Sequence, residues 1–212
     1  MDRLPLFPLG VVLFPGMPLA LRVFEPRYHT MLQDCAASGR SFGVVLLREG
    51  REVGGDAEPF GVGTEARVEQ RADADGVAFL RTRGARRFRI ARTFHDKSYL
   101  EGEVAWLPDP PEEASPIERE VATLFEEYAG LVGQLARGPD EELKALLRVP
   151  AGASAWTLAC AVGAALLVPA HEKQPILETA SARGALLREK SLLLRENARL
   201  RVLARSTAAH LN

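Results

Sequence analysis

The spacing of apolar residues changes once along this chain, and that change limits the folds open to it. Up to position 107 the apolar residues recur with a period of two, as at Leu19, Leu21 and Val23. A stretch rich in Pro and Glu follows at 108–116, and beyond it the spacing is helical. The sequence therefore predicts two parts, 1–108 built from strands and 115–212 built from helices, within 212 residues.

The first part contains several short strand patterns. Gly and Pro lie between them, and an Asp75-Gly76 turn signal suggests a hairpin. Short strands at close intervals are typical of a barrel or a sandwich. The expected strands lie near 19–24, 42–47, 61–68, 77–82, 86–92 and 99–107.

One helix interrupts these strands. Pro26 suits a first helical turn, because the N–H that proline lacks would be unpaired there. Tyr28, Leu32 and Cys35 then share one face, and Gly39 can end the helix.

The second part has helical patterns throughout. A capping-box spacing at Ser115–Glu118 precedes a wide apolar stripe over 121–135. Asp140 and Ser154 can cap two shorter helices, and a long last helix is expected from about Pro175 to Ala204. Acidic residues dominate 109–142 and basic residues 183–205, so packing of these helices would bring opposite charges together.

Composition excludes several classes of protein. A hydrophobic fraction of 47% is too high for a disordered chain. The 27 basic and 28 acidic residues give a net charge of −1, which argues against a dedicated nucleic-acid or membrane-surface protein. The uncharged stretch 149–170 is broken by Pro and Gly, so we expect no membrane span. With two cysteines and no secretory signal, we expect a cytoplasmic protein.

Motifs for catalysis are missing from the sequence. There is no phosphate-binding Gly-x-x-x-x-Gly-Lys loop and no His-Glu-x-x-His metal motif, and the four histidines are far apart. Cys35 and Cys160 lie in apolar surroundings typical of inert thiols. Lys97-Ser98 and Lys190-Ser191 are chain neighbours whose side chains point apart, which does not suit a Ser-Lys pair. We expect no cofactor, no metal and no catalytic residue.

Two stretches could bind a partner. Arg86 and Arg87 belong to a cluster of six arginines that could bind phosphates or an acidic peptide, or could simply be a solvated strand face. The apolar segment Leu4–Leu19, which is rich in proline, could contact other chains, or its side chains could fill the barrel. Its candidate contacts are Leu13, Phe14, Pro15 and Met17.

Six short motifs follow one another along the first part of the chain: Pro5-Leu-Phe-Pro-Leu9, Val12-Leu-Phe-Pro-Gly16, Phe24-Glu-Pro-Arg-Tyr28, Phe42-Gly-Val-Val45, Gly61-Val-Gly-Thr64 and Arg87-Phe-Arg-Ile90. The first three together resemble the opening of the Lon protease N-terminal, substrate-binding domain, and the other three continue that pattern in the same order. Lys173-Gln174 with Leu177-Glu178 is similar to the element that opens the last helix of that domain.

The resemblance implies an α+β fold: a PUA-like β pseudo-barrel with one short helix, followed by an α-helical bundle. It also implies a non-catalytic module that binds unfolded or degron-bearing proteins, as a stand-alone protein without the ATPase and peptidase. Glu25, Pro26, Arg27 and Tyr28 would fix the turn into the first helix. A separate ATPase or protease is a further partner that the family relation allows.

Two alternatives stay open at this point. The first is an ATP-independent peptidase or a protease-accessory subunit, which only the family name suggests. The second is an RNA-binding PUA-like protein, motivated by the fold and the arginine cluster. Base stacking normally needs exposed aromatic residues beside a basic track, and only Phe79, Phe88 and Phe94 lie near it. Nucleic acid is therefore the less favoured partner.

Overall fold

The computed structural model describes residues 2–50, 57–111, 116–136 and 141–209. Within these ranges the chain forms six strands and six helices, the mixed α+β composition expected. The strands are β1 (Asp2–Leu9), β2 (Pro18–Val23), β3 (Phe42–Gly50), β4 (Ala57–Ala74), β5 (Val77–Phe94) and β6 (Glu101–Trp106). The helices are α1 (Pro26–Ser38), α2 (Ile117–Leu135), α3 (Glu141–Leu146), α4 (Ala155–Ala165), α5 (Ala170–Leu177) and α6 (Ala182–Ala209).

The six strands form one sheet that closes on itself. Their order is β2-β5-β4-β3-β1-β6, and β5 also pairs with β6. Among the described strands, β1 and β3 pair in parallel and the other pairs are antiparallel. Closure is possible because the start of β5 (78–83) pairs with β2 while its end (88–94) pairs with β6. This is the expected pseudo-barrel.

The sheet has a core on each face. On one face, α1 packs against residues of β1, β3 and β5 through its buried Tyr28, Met31, Leu32 and Cys35. On the other face, Phe88 fills the barrel interior with Leu4, Leu6, Val45 and Val104.

Two glycines make room for the Phe88 ring inside the barrel. A Cβ on Gly43 would lie 2.5 Å from the tip of that ring, and a Cβ on Gly63 would lie 2.5 Å from the Val44 carbonyl oxygen. Both distances are far below contact distance, so these two positions accept only glycine without local displacement.

The helix α1 follows the sequence signals. Pro26 begins it, and Gly39 ends it in the left-handed conformation, with its N–H bonded to the Ala36 carbonyl at 3.4 Å. The hairpin turn between β4 and β5 is also confirmed: Asp75 and Gly76 both have positive φ, 52° and 74°, as a two-residue hairpin turn requires.

Two predictions for the strands are wrong. The expected strands 77–82 and 86–92 are one strand, β5, which a bulge opposite Glu65 bends without ending it. The sequence predicts no strand before position 19, yet the Pro-rich opening contains β1, with Pro5 and Pro8 inside. Prolines are tolerated because, among the described residues, Pro5 pairs only with β6 and Pro8 only with β3, so each proline has an open side.

The chain divides into two compact units. One comprises Met1–Asp109 with Pro169–Glu178, and the other Pro110–Val168 with Thr179–Asn212. The predicted domains 1–108 and 115–212 remain a prediction, but α5 belongs with the barrel. The last helix was expected to begin at Pro175; α6 instead begins at Ala182 and reaches Ala209, because the chain leaves the helical conformation after α5.

The helical unit is built around α2, α4 and α6. The buried face of α2 carries Val121, Phe125, Tyr128 and Val132 from the expected stripe. Opposite charges meet between α2 and α6, as expected: Lys190 pairs with Glu120, and Arg201 donates to Glu127 at 2.6 Å from its Nε.

The other expectations for the helical part have mixed outcomes. Ser154 caps α4, since its Oγ accepts from the Thr157 amide at 3.1 Å. The expected caps at Ser115 and Asp140 lie outside the described residues. The longest uncharged helix, α4, has 11 residues, and no helix among the described residues is long and apolar enough to span a membrane.

Candidate functional site

Leu13 and Phe14 are core residues, so their expected role as surface contacts needs correction. Their exposed fractions are 1% and 0%. The backbone holds them in place, because the Gly16 amide donates to Gly84 and the Gly84 amide donates to Met17, at 2.8 and 2.9 Å. Pro15 and Met17 are half-buried. Leu13 and Phe14 therefore fit the alternative interpretation, in which this segment fills the barrel. Of the four candidate contacts, only Pro15 and Met17 remain available to a partner.

Arg87 is also buried, although it was expected to bind a partner. Its side chain is held between two carbonyl groups: Nη1 donates to Leu177 at 2.7 Å, and Nη2 donates to Pro108 at 3.0 Å. With 2% of its surface exposed, Arg87 holds the end of α5 and the chain after β6 against β5. Gln174 adds a second attachment of α5, since its Nε2 donates to the Val62 carbonyl at 3.0 Å.

Arg86, the residue before it, is exposed and lies on the opposite side of β5. Its guanidinium carbon stands 4.0 Å from the centroid of the Trp106 ring, and its Nε donates to Glu65 Oε2 at 3.2 Å. This difference between two neighbouring arginines follows from strand geometry, which turns successive side chains to opposite faces. Arg86 therefore remains a predicted contact, and Arg87 is structural.

The motif Glu25–Tyr28 forms the corner between β2 and α1. The Glu25 carbonyl accepts from the amides of Tyr28 and His29 at 3.0 and 3.1 Å. The Arg27 Nε donates to the Glu25 carboxylate at 3.1 Å, and the Tyr28 ring stacks on Phe7 with centroids 4.0 Å apart. These contacts lie within the turn into α1; the role of the motif in fixing that turn stays a prediction.

An exposed aromatic face is the feature that the sequence did not indicate. Phe24 and Phe79 expose 53% and 45% of their surfaces. On β5, Ala78 and Leu80 point into the core that contains α1, so Phe79 points away from it. Phe24 follows Val23, which belongs to the same core, and therefore also points away. We call this surface the Phe79 face.

Arginines border the two phenyl rings of the Phe79 face. Arg22 lies opposite Phe79 on β2, and Arg81 follows it on β5, opposite Ala20. Neither guanidinium makes an ion pair within the described part of the chain. Phe24 follows the last residue of β2 and stands two residues after Arg22, the residue that pairs with Phe79, so both rings lie near the end of the β2–β5 pairing. The face thus combines apolar and cationic groups.

The titratable groups near α1 form a structural network. Lys97 Nζ donates to Asp34 Oδ2 at 2.7 Å and to Tyr99 Oη at 2.8 Å, while Tyr99 Oη donates to Asp34 at 2.6 Å. These contacts lower the pKa of Asp34 and raise that of Lys97, and burial raises the pKa of Tyr99 to about 12. Lys97 is therefore held in its charged form and is a poor proton acceptor.

Burial also shifts the pKa values of Cys35 and Lys173. Burial raises the pKa of the Cys35 thiol to about 11, which fits the inert thiol expected. Burial lowers the pKa of Lys173 in α5 to about 8, a shift that the sequence did not indicate. Lys173 keeps most of its charge at neutral pH. Within the described ranges, no group of three His, Cys, Asp or Glu side chains could hold a metal ion.

Comparison with known proteins shows the family. The substrate-binding domain of the ATP-dependent protease La (LON) matches residues 3–195. The Lon protease of Methylocella silvestris is 27% identical over 217 residues, covering all of this chain and 26% of that protein. Lon protease 2 of Myxococcus xanthus is 26% identical over 201 residues, covering 91% of this chain and 24% of that protein. The chain thus spans about a quarter of the length of these relatives.

Solved structures agree. A Lon N-terminal domain protein from Xanthomonas campestris is 32% identical, with a TM-score of 0.67 over 89% of this chain and 96% of that one. The N-terminal domain of a Mycobacterium avium complex Lon protease has the same TM-score at 18% identity, over 91% and 98% of the two chains, which shows a shared fold. The chain belongs to the family of Lon substrate-binding domains.

Proposed function

We propose that the chain is a substrate-recognition module that binds unfolded or degron-bearing polypeptides and does not cut them. Membership of the Lon substrate-binding domain family supports recognition of protein substrates. The Phe79 face carries the proposal for this chain, because it presents two exposed phenyl rings, one on β5 and one directly after β2. Neighbouring exposed aromatic side chains are typical of surfaces that contact other chains.

The charges around the face narrow the kind of segment that it would bind. Arg22 and Arg81 are uncompensated by neighbouring carboxylates in the described structure, so an apolar segment with acidic flanks would gain both contact area and ion pairs. Unfolded chains expose apolar segments that are buried in folded proteins, so the face would favour the unfolded state. Pro15, Met17 and Arg86 are additional contacts that we propose on the same barrel unit.

Three observations support a role without catalysis. The matched family region is the substrate-binding domain. Lys97, one of the two lysines that precede a serine, pairs with Asp34, and Lys190, the other, pairs with Glu120. Cutting would then depend on a separate ATPase or protease that receives the bound chain. We place the protein in the cytoplasm, where the buried thiols of Cys35 and Cys160 would stay reduced.

A binding titration tests the proposal. Fluorescein-labelled, carboxymethylated α-lactalbumin, which stays unfolded, would be titrated with the chain and followed by anisotropy. We expect saturable binding in the micromolar range. The double variant Phe24→Ser with Phe79→Ser should weaken it at least about tenfold, since two aromatic contacts are lost.

The matched control is Val68→Ser. Val68 is as exposed as Phe79, at 45%, but it pairs with the inward-facing Thr82 and so lies on the other face of the hairpin. This variant should bind like the wild type. The proposal fails if no binding occurs at several hundred micromolar, or if both variants bind equally. Tighter binding of a single-stranded RNA, or fragmentation of casein by the pure chain, would also contradict it.

A further inference from the structure

A small polar cavity opens on the barrel unit, apart from the Phe79 face. Its volume is about 270 Å³, and it is lined by the start of β1, the segment after α1, and side chains of β4, β5 and β6. This is slightly below the range of ~300–1,000 Å³ for sites that enclose small molecules. The size suits one amino-acid residue of a larger ligand.

One wall of the cavity is a fixed aromatic ring. Trp106 forms it, and the indole Nε1 donates to Asp2 Oδ2 at 2.5 Å, which sets the orientation of the ring. The Arg86 guanidinium stacks over this ring at 4.0 Å from the centroid. A flat aromatic wall with an arginine across it favours a ligand that has both an apolar and an anionic part.

A buried carboxylate fixes the arginine. The Glu65 side chain is 8% exposed; its Oε1 accepts from Ser41 Oγ at 2.6 Å and its Oε2 from Arg86 Nε at 3.2 Å, with Arg67 at 3.8 Å. Both oxygens of Glu65 are therefore occupied. The bond to Arg86 uses only Nε, so the two terminal nitrogens of that guanidinium remain without an acceptor in the described structure.

Hydrogen-bond donors exceed acceptors in the cavity. Arg40 lines it with an exposed side chain that makes no hydrogen bond or ion pair within the described residues. Arg3, another lining residue, is already paired with Asp96 and Glu101. Unused donors thus come from Arg40 and Arg86, whereas the cavity's acceptors are largely taken. A ligand that fits must bring acceptors and negative charge.

We infer that this cavity binds a carboxylate group of a polypeptide, held by Arg40 and Arg86 with its neighbouring side chain against Trp106. Two guanidinium groups can each give two parallel hydrogen bonds to a carboxylate, which is the strongest geometry for this pair. The carboxylate can belong to a chain terminus or to an acidic side chain. The inference rests on the proposed function and extends it to a second contact on the same unit.

Trp106 provides the measurement. With Trp156→Phe, Trp106 is the single tryptophan of the chain, so its fluorescence reports ligand at the cavity wall. Three probes would be titrated at low salt: acetyl-Ala-Ala-Leu with a free carboxylate, the same peptide as a C-terminal amide, and acetyl-Ala-Glu-Leu amide. We expect at least one of the two carboxylate peptides to bind at least about tenfold more tightly than the neutral amide. Which of them binds identifies the source of the carboxylate.

Variants test whether the carboxylate binds at this cavity rather than elsewhere on the chain. Arg40→Gln should lower the affinity for the carboxylate peptide about tenfold. Arg89 is an exposed arginine on the same strand as Arg86, and Arg89→Gln should leave this affinity unchanged. Trp106 fluorescence reports ligand at the cavity, whereas the anisotropy titration of the Phe24→Ser, Phe79→Ser variant reports the Phe79 face, so failure here and failure there can be told apart. Equal binding of acid and amide peptides, no effect of Arg40→Gln, or equally tight binding of inorganic phosphate would overturn the inference.

Discussion

Glu189 on α6 is a carboxyl group in the core of the helical unit, and its replacement gives a sharp test of the packing described above. Its surface is completely buried, and neither carboxylate oxygen has a hydrogen-bond partner with suitable geometry among the described residues. Burial raises the pKa of Glu189 well above its usual range, and the backbone of Gly163 on α4 opposes this rise only in part. Burial in the folded chain therefore favours the neutral form of this group.

The sign of the pH effect follows from this raised pKa. The unfolded chain titrates Glu189 near 4.5, and the folded chain titrates it at higher pH. The favourable contribution is complete below the unfolded pKa and is lost as the pH rises toward the folded pKa. Each pH unit in this window lowers the free energy of unfolding by up to ~1.4 kcal/mol.

Two substitutions separate titration from burial. Glu189→Gln removes the titration but leaves a buried polar group, so its free energy of unfolding should vary less with pH. Glu189→Leu also removes the unpaired oxygens, and at pH 8 it should stabilise the chain by about 1–3 kcal/mol. Glu126→Gln is the matched control, because Glu126 on α2 is exposed.

The assay is urea unfolding at pH 5, 6, 7 and 8. In a Trp106→Phe background, Trp156 on α4 is the single tryptophan and reports the helical unit that contains Glu189. The reasoning is refuted if the wild type and Glu189→Gln show the same dependence on pH. It is also refuted if Glu189→Leu is less stable than the wild type at pH 8.

Three further experiments test the barrel unit. Arg87→Leu leaves two carbonyl groups without their buried donor, and we expect urea unfolding, followed by Trp106 fluorescence, to show a loss of about 2–5 kcal/mol. Gly84→Ala would place a Cβ 2.1 Å from the Phe14 carbonyl oxygen and should lower the free energy of unfolding by about 3 kcal/mol. The control Gly130→Ala lies in open space on α2 and should raise the free energy of unfolding by ~0.5–1 kcal/mol. Equal shifts of the melting temperature in the two variants would contradict this. The third experiment measures the reactivity of the Cys35 thiol in a chain with Cys160→Ala. Because its pKa is about 11, this thiol should react with a disulfide reagent at pH 8 at least about 100-fold more slowly than free cysteine. A rate near that of free cysteine would contradict the burial of Cys35.

Local signals in the sequence were sufficient for α1 and for the hairpin turn. A proline that suits the first turn, a glycine that suits the end and three apolar residues on one face are all close in sequence, and each acts within one or two helical turns. The Asp75-Gly76 turn is equally local, because its backbone conformation depends mainly on the two residues in it.

Features that depend on distant pairing could not be predicted. The prolines of β1 are compatible with a strand only because its two halves pair with different partners, and the sequence does not show which. The same holds for β5, which continues across its bulge because β4 runs alongside it. The break before α6 follows from contacts of α5, among them the bond between Arg87 and the Leu177 carbonyl.

The candidate sites show the same limit. Leu13 and Phe14 were chosen as contacts because they are large and apolar. The same property also suits a residue for the core, and both side chains are buried there. The exposure of Phe79 depends on strand register, which sets the face of each side chain. The partners of Arg86 lie on β4 and β6, so its position beside Trp106 required the closed sheet.

Because α5 is a piece of the barrel unit inserted within the helical part of the sequence, the polypeptide crosses between its two units three times. A fragment cut after Asp109 would keep all six strands yet lose the Leu177 carbonyl that Arg87 binds and the Gln174 amide bound to Val62. Dissection of this protein by truncation would therefore report on an incomplete barrel. Adding residues 169–178 back as a separate peptide should restore what the cut removed.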